Sequence, residues 1–240
     1  MRSFTLNNQY DSYSDFGIRI LEPPAIPTTQ RIVEDIEVEG RAGTLTREKG
    51  WADQRITVHC AITATQSNTA PQMFRSLRAL CEGTVASVGR IERLELSTNP
   101  GVFYTVKHID FSHLTRLTGL WWDFTITFTC QPFNYIIEAE PITLTASGQV
   151  VNPCLVAAEP VITIYGSGTL TLAISGVTHT VKSPGGQLTI DTPRKICHVA
   201  GNIQTDALIG DFPILAPMSN QISLGPGITK VVIEPNWRNL

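Results

Sequence analysis

The chain has 240 residues, with 18 Lys+Arg against 21 Asp+Glu, a formal net charge of -3 and 16% charged residues. This length fits one large or two small domains, and 42% hydrophobic residues are enough for a core, which excludes global disorder. The near-neutral balance excludes the basic footprint of a dedicated nucleic-acid binder, and no apolar run approaches the ~20 residues of a membrane helix, so no membrane insertion is expected.

Met1 to Asn8 lacks the apolar stretch of a secretory signal, so no export is expected. The first strand candidate is Ile32 to Glu39. Parity places Asp35, Glu37 and Glu39 on one face and Ile36 and Val38 on the other, an acidic stripe expected to be backed by core. A glycosidase would need two opposed carboxylates in different environments, and three in a row on one face do not supply that difference.

Arg55 to Thr63 follows, with Ile56, Val58, Cys60 and Ile62 on one face and Thr57, His59 and Thr63 on the other. Next comes one helix. Asn68 or Thr69 can cap it, Pro71 fits its first turn, Met73, Phe74, Leu77, Leu80 and Cys81 make its apolar stripe, and Gly83 stops it. Val85 to Leu96 and Val102 to Phe111 read as further strands. In Trp121 to Cys130, the set Trp122, Phe124, Ile126, Phe128 and Cys130 alternates with Asp123, Thr125, Thr127 and Thr129, a half-buried strand of high β propensity.

Composition shifts near Gln131 to Tyr135. Fifteen aromatic residues precede this point and three follow it: Tyr165, Phe212 and Trp237. Only 12 of the 39 charged residues lie beyond it. The shift marks two domains, 1–135 and 136–240. In the second, Val161 to Tyr165, Thr169 to Ile174 and Val177 to Lys182 are strands joined by Gly166-Ser167-Gly168 and Ser175-Gly176. Leu188 to Asp191, Lys195 to Val199, Gln221 to Leu224 and Lys230 to Glu234 complete an antiparallel β-sandwich. The fold class is mostly β with one helix.

Motifs for chemistry are missing. There is no nucleophile elbow, P-loop or dinucleotide fingerprint. His59-Cys60 and Cys197-His198 are neighbours on strands and point to opposite faces, so neither pair chelates a metal locally. Cys60, Cys81, Cys130, Cys154 and Cys197 are scattered and odd in number, which suits reduced, buried thiols. Catalytic residues, metal ligands and cofactors are all expected to be none. A carbohydrate-binding module or adhesin acting through the C-terminal sandwich is the alternative reading, with few aromatic platforms to support it. A hydrolase with dispersed catalytic residues is a third.

Three stretches go further. Ser14-Asp15-Phe16-Gly17-Ile18, followed by Leu21-Glu22-Pro23-Pro24-Ala25-Ile26-Pro27, resembles the start of the distal tail proteins of long-tailed (siphovirus-type) phages. Ile36 to Leu45 is similar to that family's glycine-arginine-x-glycine signature, here Gly40, Arg41 and Gly43, and it leads into Asp53 to Val58. Phe212-Pro213 through Asn220-Gln221-Ile222 resembles the family's closing sandwich motif. The family usually has glycine where Met218 stands, so Met218 would be strained if that turn needs positive φ.

The resemblance implies a tail-tube-like split β-barrel or sandwich with one helix, forming a six-fold ring, followed by a galectin-like antiparallel β-sandwich. It implies a virion structural protein and no enzyme: a hexameric ring adaptor at the tail tip, assembled in the host cytoplasm, joining tail tube to baseplate. Implied partners are a homohexamer, the major tail tube protein, and the tail hub or tail-associated lysin, with tape measure and receptor-binding proteins beyond them. DNA would pass through without specific binding, and Asp35, Glu37 and Glu39 would line the passage. Gly40, Arg41, Gly43, Phe212, Pro213 and Asn220 would be structural motif residues.

Overall fold

The two strongly alternating segments become neighbouring strands, and the first sheet is organised about them. The structure is a computed structural model describing residues 2–63, 69–83, 89–183 and 185–240. It divides into two compact units, Met1–Asn134 with Leu240, and Tyr135–Asn239.

The first unit contains β1 (Phe4–Leu6), β2 (Tyr10–Asp11), β3 (Ile18–Ile20), β4 (Arg31–Glu37), β5 (Thr44–Trp51) and β6 (Gln54–Thr63). It continues with α1 (Thr69–Cys81), β7 (Arg93–Leu96), β8 (Asn99–Phe111), β9 (Thr115–Thr118) and β10 (Trp121–Ile136). Its main sheet runs β2-β1-β7-β8-β10-β6-β3, with β9 also on β10. β6 and β10 pair antiparallel from Trp121 opposite Thr63 to Cys130 opposite Gln54. Ile56, Val58, Cys60 and Ile62 are buried, as are Phe124, Ile126, Phe128 and Cys130, while Trp122 packs half-buried at the margin.

α1 buries Ala70, Leu77 and Leu80 and lays Phe74 edge-on to Phe111 and Phe124, with ring centroids 5.7 and 4.9 Å apart. Gly83 ends the helix at φ +67, and its amide donates to the Leu80 carbonyl, a left-handed C-cap that glycine adopts without Cβ strain. The candidate cap Asn68 lies outside the described residues, as do 85–88 of the expected strand Val85 to Leu96. In the described remainder that strand starts only at Arg93, and Ile91 is buried from an irregular segment.

The second unit contains β11 (Ile142–Leu144), β12 (Gly148–Asn152), β13 (Val161–Tyr165), β14 (Gly168–Ile174), β15 (Val177–Ser183) and β16 (Gln187–Asp191). After these come β17 (Ile196–Val199), β18 (Asn202–Ile203), β19 (Leu208–Ile209), β20 (Met218–Leu224), β21 (Lys230–Glu234) and β22 (Arg238–Asn239). Two sheets form a sandwich, ordered β11-β21-β13-β16-β17-β18 and β12-β20-β14-β15-β19. Alternate residues of both point inward: Ile162, Ile164, Leu188, Ile190, Val231 and Ile233 from one, Val150, Leu170, Leu172, Ile174, Val181 and Ile222 from the other. Burying each such side chain contributes roughly 1.5–3 kcal/mol. Ser175 (φ +49) and Gly176 (φ +86) turn β14 into β15, and positive φ at both central residues matches the right-handed twist of the hairpin.

Candidate functional site

β4 and β5 form a two-stranded sheet of their own. They pair antiparallel from Arg31 opposite Trp51 to Glu37 opposite Thr44, with a bulge between Ile32 and Val33. The turn needs glycine twice: Gly40 and Gly43 both have φ +80, with nothing within 4 Å of a would-be Cβ. Conformation, not close approach, therefore sets their identity. Arg41 sits between them, its amide donating to the Val38 carbonyl at 3.1 Å.

The base of this arm is tethered. Trp51 packs edge-on against Phe133 (6.0 Å) and lies under the Arg31 guanidinium (4.9 Å). Thr29 Oγ1 donates to the Pro132 carbonyl at 2.7 Å and Gln54 Nε2 to that of Gln131 at 3.1 Å. Beyond the base, every residue of β4 is exposed or half-buried. The expected core behind Ile36 and Val38 is not there: they are 41% and 42% exposed. The reason is topological. An isolated two-stranded sheet has no second layer, so its apolar residues face solvent within their own chain.

The two faces differ. Val33, Asp35 and Glu37 share one with their partners Glu48, Thr46 and Thr44. Thr46 Oγ1 donates to Asp35 Oδ1 at 2.9 Å, and Arg31 pairs with Glu48. The other face carries Ile36 opposite Leu45 and Glu34 opposite Arg47, with Lys49 Nζ 3.1 Å from Glu34 Oε2. Glu39 falls past the strand end, in the turn, so the expected three-carboxylate stripe is two strand residues and one turn residue. Over 31–51 the carboxylates Glu34, Asp35, Glu37, Glu39 and Glu48 face four cations, Arg31, Arg41, Arg47 and Lys49, a net of -1. Sequence reading missed β5, whose Thr44 to Trp51 lacks a clean apolar alternation. The available signal was a strand followed by Gly-x-x-Gly and a Thr-x-Thr pair, a hairpin pattern.

The C-terminal motif residues assemble at the head of β20 in the second unit. Asn220 is fully buried. Its Nδ2 donates to the Ala216 carbonyl and its Oδ1 accepts from the Ala216 amide, each at 2.9 Å. Ser175 Oγ also donates to Oδ1 at 3.3 Å. Met218 has φ +70, so the turn keeps the left-handed conformation that suits glycine and Met218 carries the strain. Pro213 is buried and its carbonyl accepts from the buried Thr192 Oγ1 at 3.1 Å. Phe212 is half-buried, with Lys195 Nζ 5.4 Å from its ring centre.

Burial pushes the thiols of Cys60, Cys81 and Cys130 up to about 12 and that of Cys197 to about 11. They stay protonated at neutral pH and behave as apolar packing groups.

No family model and no curated protein matches this sequence. Solved structures do. The Dit protein of phage SPP1, described as a paradigm of the hub adsorption apparatus in phages infecting Gram-positive bacteria, aligns over 100% of both chains at 16% identity with a TM-score of 0.65. A chain of the phage p2 baseplate in its activated conformation with Sr aligns over 97% of this chain and 98% of that chain at 9% identity, TM-score 0.43. Its counterpart with Ca aligns over 97% of each at 10% identity, TM-score 0.40. Along its whole length, from the arm-bearing first unit to the closing sandwich, this chain has the mostly β fold of the SPP1 Dit protein.

Proposed function

We propose that the chain is a structural, non-catalytic protein of a phage tail tip: a ring-forming adaptor, six copies to a ring, between tail tube and baseplate. One observation carries the reading. The β4–β5 arm holds Ile36, Val38 and Leu45 at 41–42% exposure on a sheet that has no second layer among the described residues. Exposed apolar side chains grouped on one element mark an interaction surface. A repeated head-to-tail contact through such an arm closes a ring when the rotation closes.

The full-length likeness to SPP1 Dit, a hub protein of an adsorption apparatus, supports the same reading. In this arrangement the face with Ile36 and Leu45 covers a neighbouring copy. The face with Asp35 and Glu37, together with Glu39 at the tip, lines a passage through which DNA moves without specific contact. The ring docks the major tail tube protein on one side and the tail hub or tail-associated lysin on the other. Tape measure and receptor-binding proteins are further partners, and the site of action is the virion tail tip, after assembly in the host cytoplasm.

Multi-angle light scattering of the purified chain tests this. The expected mass is six times 26.3 kDa, or a multiple from stacked rings, with six-fold rings in negative-stain micrographs. A monodisperse monomer at micromolar concentration contradicts it.

A further inference from the structure

A ring closed by a repeated head-to-tail contact needs two different patches on each copy, and the arm supplies one of them. Outside the arm, the first unit exposes two groups of large apolar side chains. Tyr13, Leu21 and Ile26 lie in the N-terminal segment, and Leu117, Leu120 and Trp121 lie on the β9–β10 hairpin.

The hairpin group sits at a corner of the sheet whose polar groups are uncommitted. Trp121 and Asp123 alternate onto the face away from the core. Ala61 on β6 stands opposite Asp123, and Arg19 on β3 stands opposite Ala61. The Arg19 guanidinium stacks on the Trp121 ring at 4.0 Å, while its Nε and Nη2 have no hydrogen-bond partner. Asp123 Oδ1 and Trp122 Nε1 are likewise closed off without a partner. Among the described residues, Arg19, Trp122 and Asp123 are three of the four that carry such orphaned atoms. Buried polar atoms are normally paired, so this concentration marks the corner where a single copy is least complete. The orphaned atoms are sealed, so a neighbour meets the half-buried Asp123 at its other oxygen and the indole of Trp121, 39% exposed. Tryptophan is a residue type enriched among interface anchors.

Charge selects the arm as occupant. On the arm, Arg47 shares a face with Ile36 and Leu45. The carboxylate opposite it, Glu34, is taken by Lys49 at 3.1 Å, and Arg47 makes no ion pair or side-chain hydrogen bond among the described residues. A free guanidinium beside two apolar side chains complements a free carboxylate beside Leu117, Leu120 and Trp121. The N-terminal group offers no such carboxylate. Asp11 accepts from the Tyr13 and Ser14 amides, Asp15 accepts from the Asp11 amide, and Glu22 faces His59.

We propose that the β9–β10 hairpin corner is the seat for the arm of the next copy: Ile36 and Leu45 cover Leu117, Leu120 and Trp121, and Arg47 pairs with Asp123. The proposal rests on the ring reading above and assigns the second half of its contact.

The test is covalent capture on the full chain. Leu45→Cys with Leu117→Cys places one thiol on each exposed patch, and a short bis-maleimide is added to the assembled protein. The native thiols are buried and protonated, so the wild type serves as the blank. The expected result is a denaturing-gel ladder that stops at six chains. Leu45→Cys alone, Leu117→Cys alone, and Leu45→Cys with Tyr13→Cys should give none. As a second arm, Asp123→Arg should raise the half-assembly concentration at least about tenfold, and adding Arg47→Asp should restore it. Light scattering on the same preparations separates the failures. Hexamers without a ladder, a ladder from the Tyr13 pair or from Leu45→Cys alone, or no rescue by Arg47→Asp overturns this seat and leaves the ring. A monomeric wild type overturns the ring reading and the seat together.

Discussion

The side-chain amide of Asn220 closes a ring with the backbone of Ala216, donating to its carbonyl oxygen and accepting from its amide, both at 2.9 Å. Nδ2 also lies 3.4 Å from the Met218 carbonyl, so one buried side chain spans the turn that enters β20. Asn220→Ala leaves the Ala216 amide and carbonyl without this partner in a closed site. The expected loss is about 2–3 kcal/mol, read as a lower denaturant midpoint for the second unit with an unchanged slope. A loss under about 0.5 kcal/mol would place the turn's stability elsewhere.

Met218 sits at φ +70 with 68% of its side chain exposed. Met218→Gly gives up little burial and removes the Cβ strain, against the greater unfolded-chain entropy of glycine. The net expectation is stabilisation by about 0.5–1 kcal/mol. Met218→Ala, which keeps the Cβ, should gain nothing. Thermal melts of the three proteins side by side decide it, and a destabilised glycine variant contradicts the strain argument.

Ile36→Asp with Leu45→Asp puts two charges on the apolar face of the arm. Since both positions are exposed in the single chain, monomer stability should move by about 0.5 kcal/mol or less. Ring assembly should be lost, because two carboxylates would be buried at a contact between copies. Light scattering and a melt on one preparation separate these effects. A stable ring in this variant removes the arm from the interface.

Asp35→Lys, Glu37→Lys and Glu39→Lys together convert the other face to a basic one. The fold and the ring should survive. A duplex carries one negative charge per ~1.7 Å of its axis, so a basic wall would hold it, and genome ejection from assembled particles should slow. The effect should fade with added salt, since screening acts beyond ~8 Å at physiological ionic strength. Normal ejection kinetics with an intact ring would remove these residues from the passage.

The thiols set an alkaline limit. Cys60 and Cys130 are pushed up to about 12 in the fold from an ordinary 9.0. The folded state holds these protons while the unfolded chain releases them, so stability is flat below about pH 9 and falls as pH rises towards 12. Urea midpoints should be equal at pH 7 and 8 and lower at pH 10.5. At pH 8, Ellman's reagent should label Cys60 and Cys130 only slowly until denaturant is added, when all five cysteines react. Rapid native labelling of Cys60 contradicts its burial.

Features that depend on local pattern are legible in the order of the residues. Alternation over Arg55 to Thr63 and Trp121 to Cys130 selects strands and their buried faces, because a strand places successive side chains on opposite sides. The stripe Met73, Phe74, Leu77, Leu80, Cys81 with Gly83 behind it specifies a helix and its end. Ser175-Gly176 specifies a tight hairpin. Parity even separated Asp35 and Glu37 from Ile36. What parity does not contain is whether a second layer covers the apolar side; that Ile36 and Leu45 face outward on a free arm follows from the three-dimensional arrangement of the strands. β5 escaped sequence reading for the same reason: it is a strand by virtue of its partner β4, with no buried face to impose a period. The short strands β1 and β19 likewise owe their assignment to neighbours distant in sequence, β7 and β15. At Met218 the residue type argued against positive φ, and the fixed hydrogen bonds of Asn220 to Ala216 hold the turn there, because buried polar bonds made across a loop outweigh a backbone preference of about 1–2 kcal/mol at one residue.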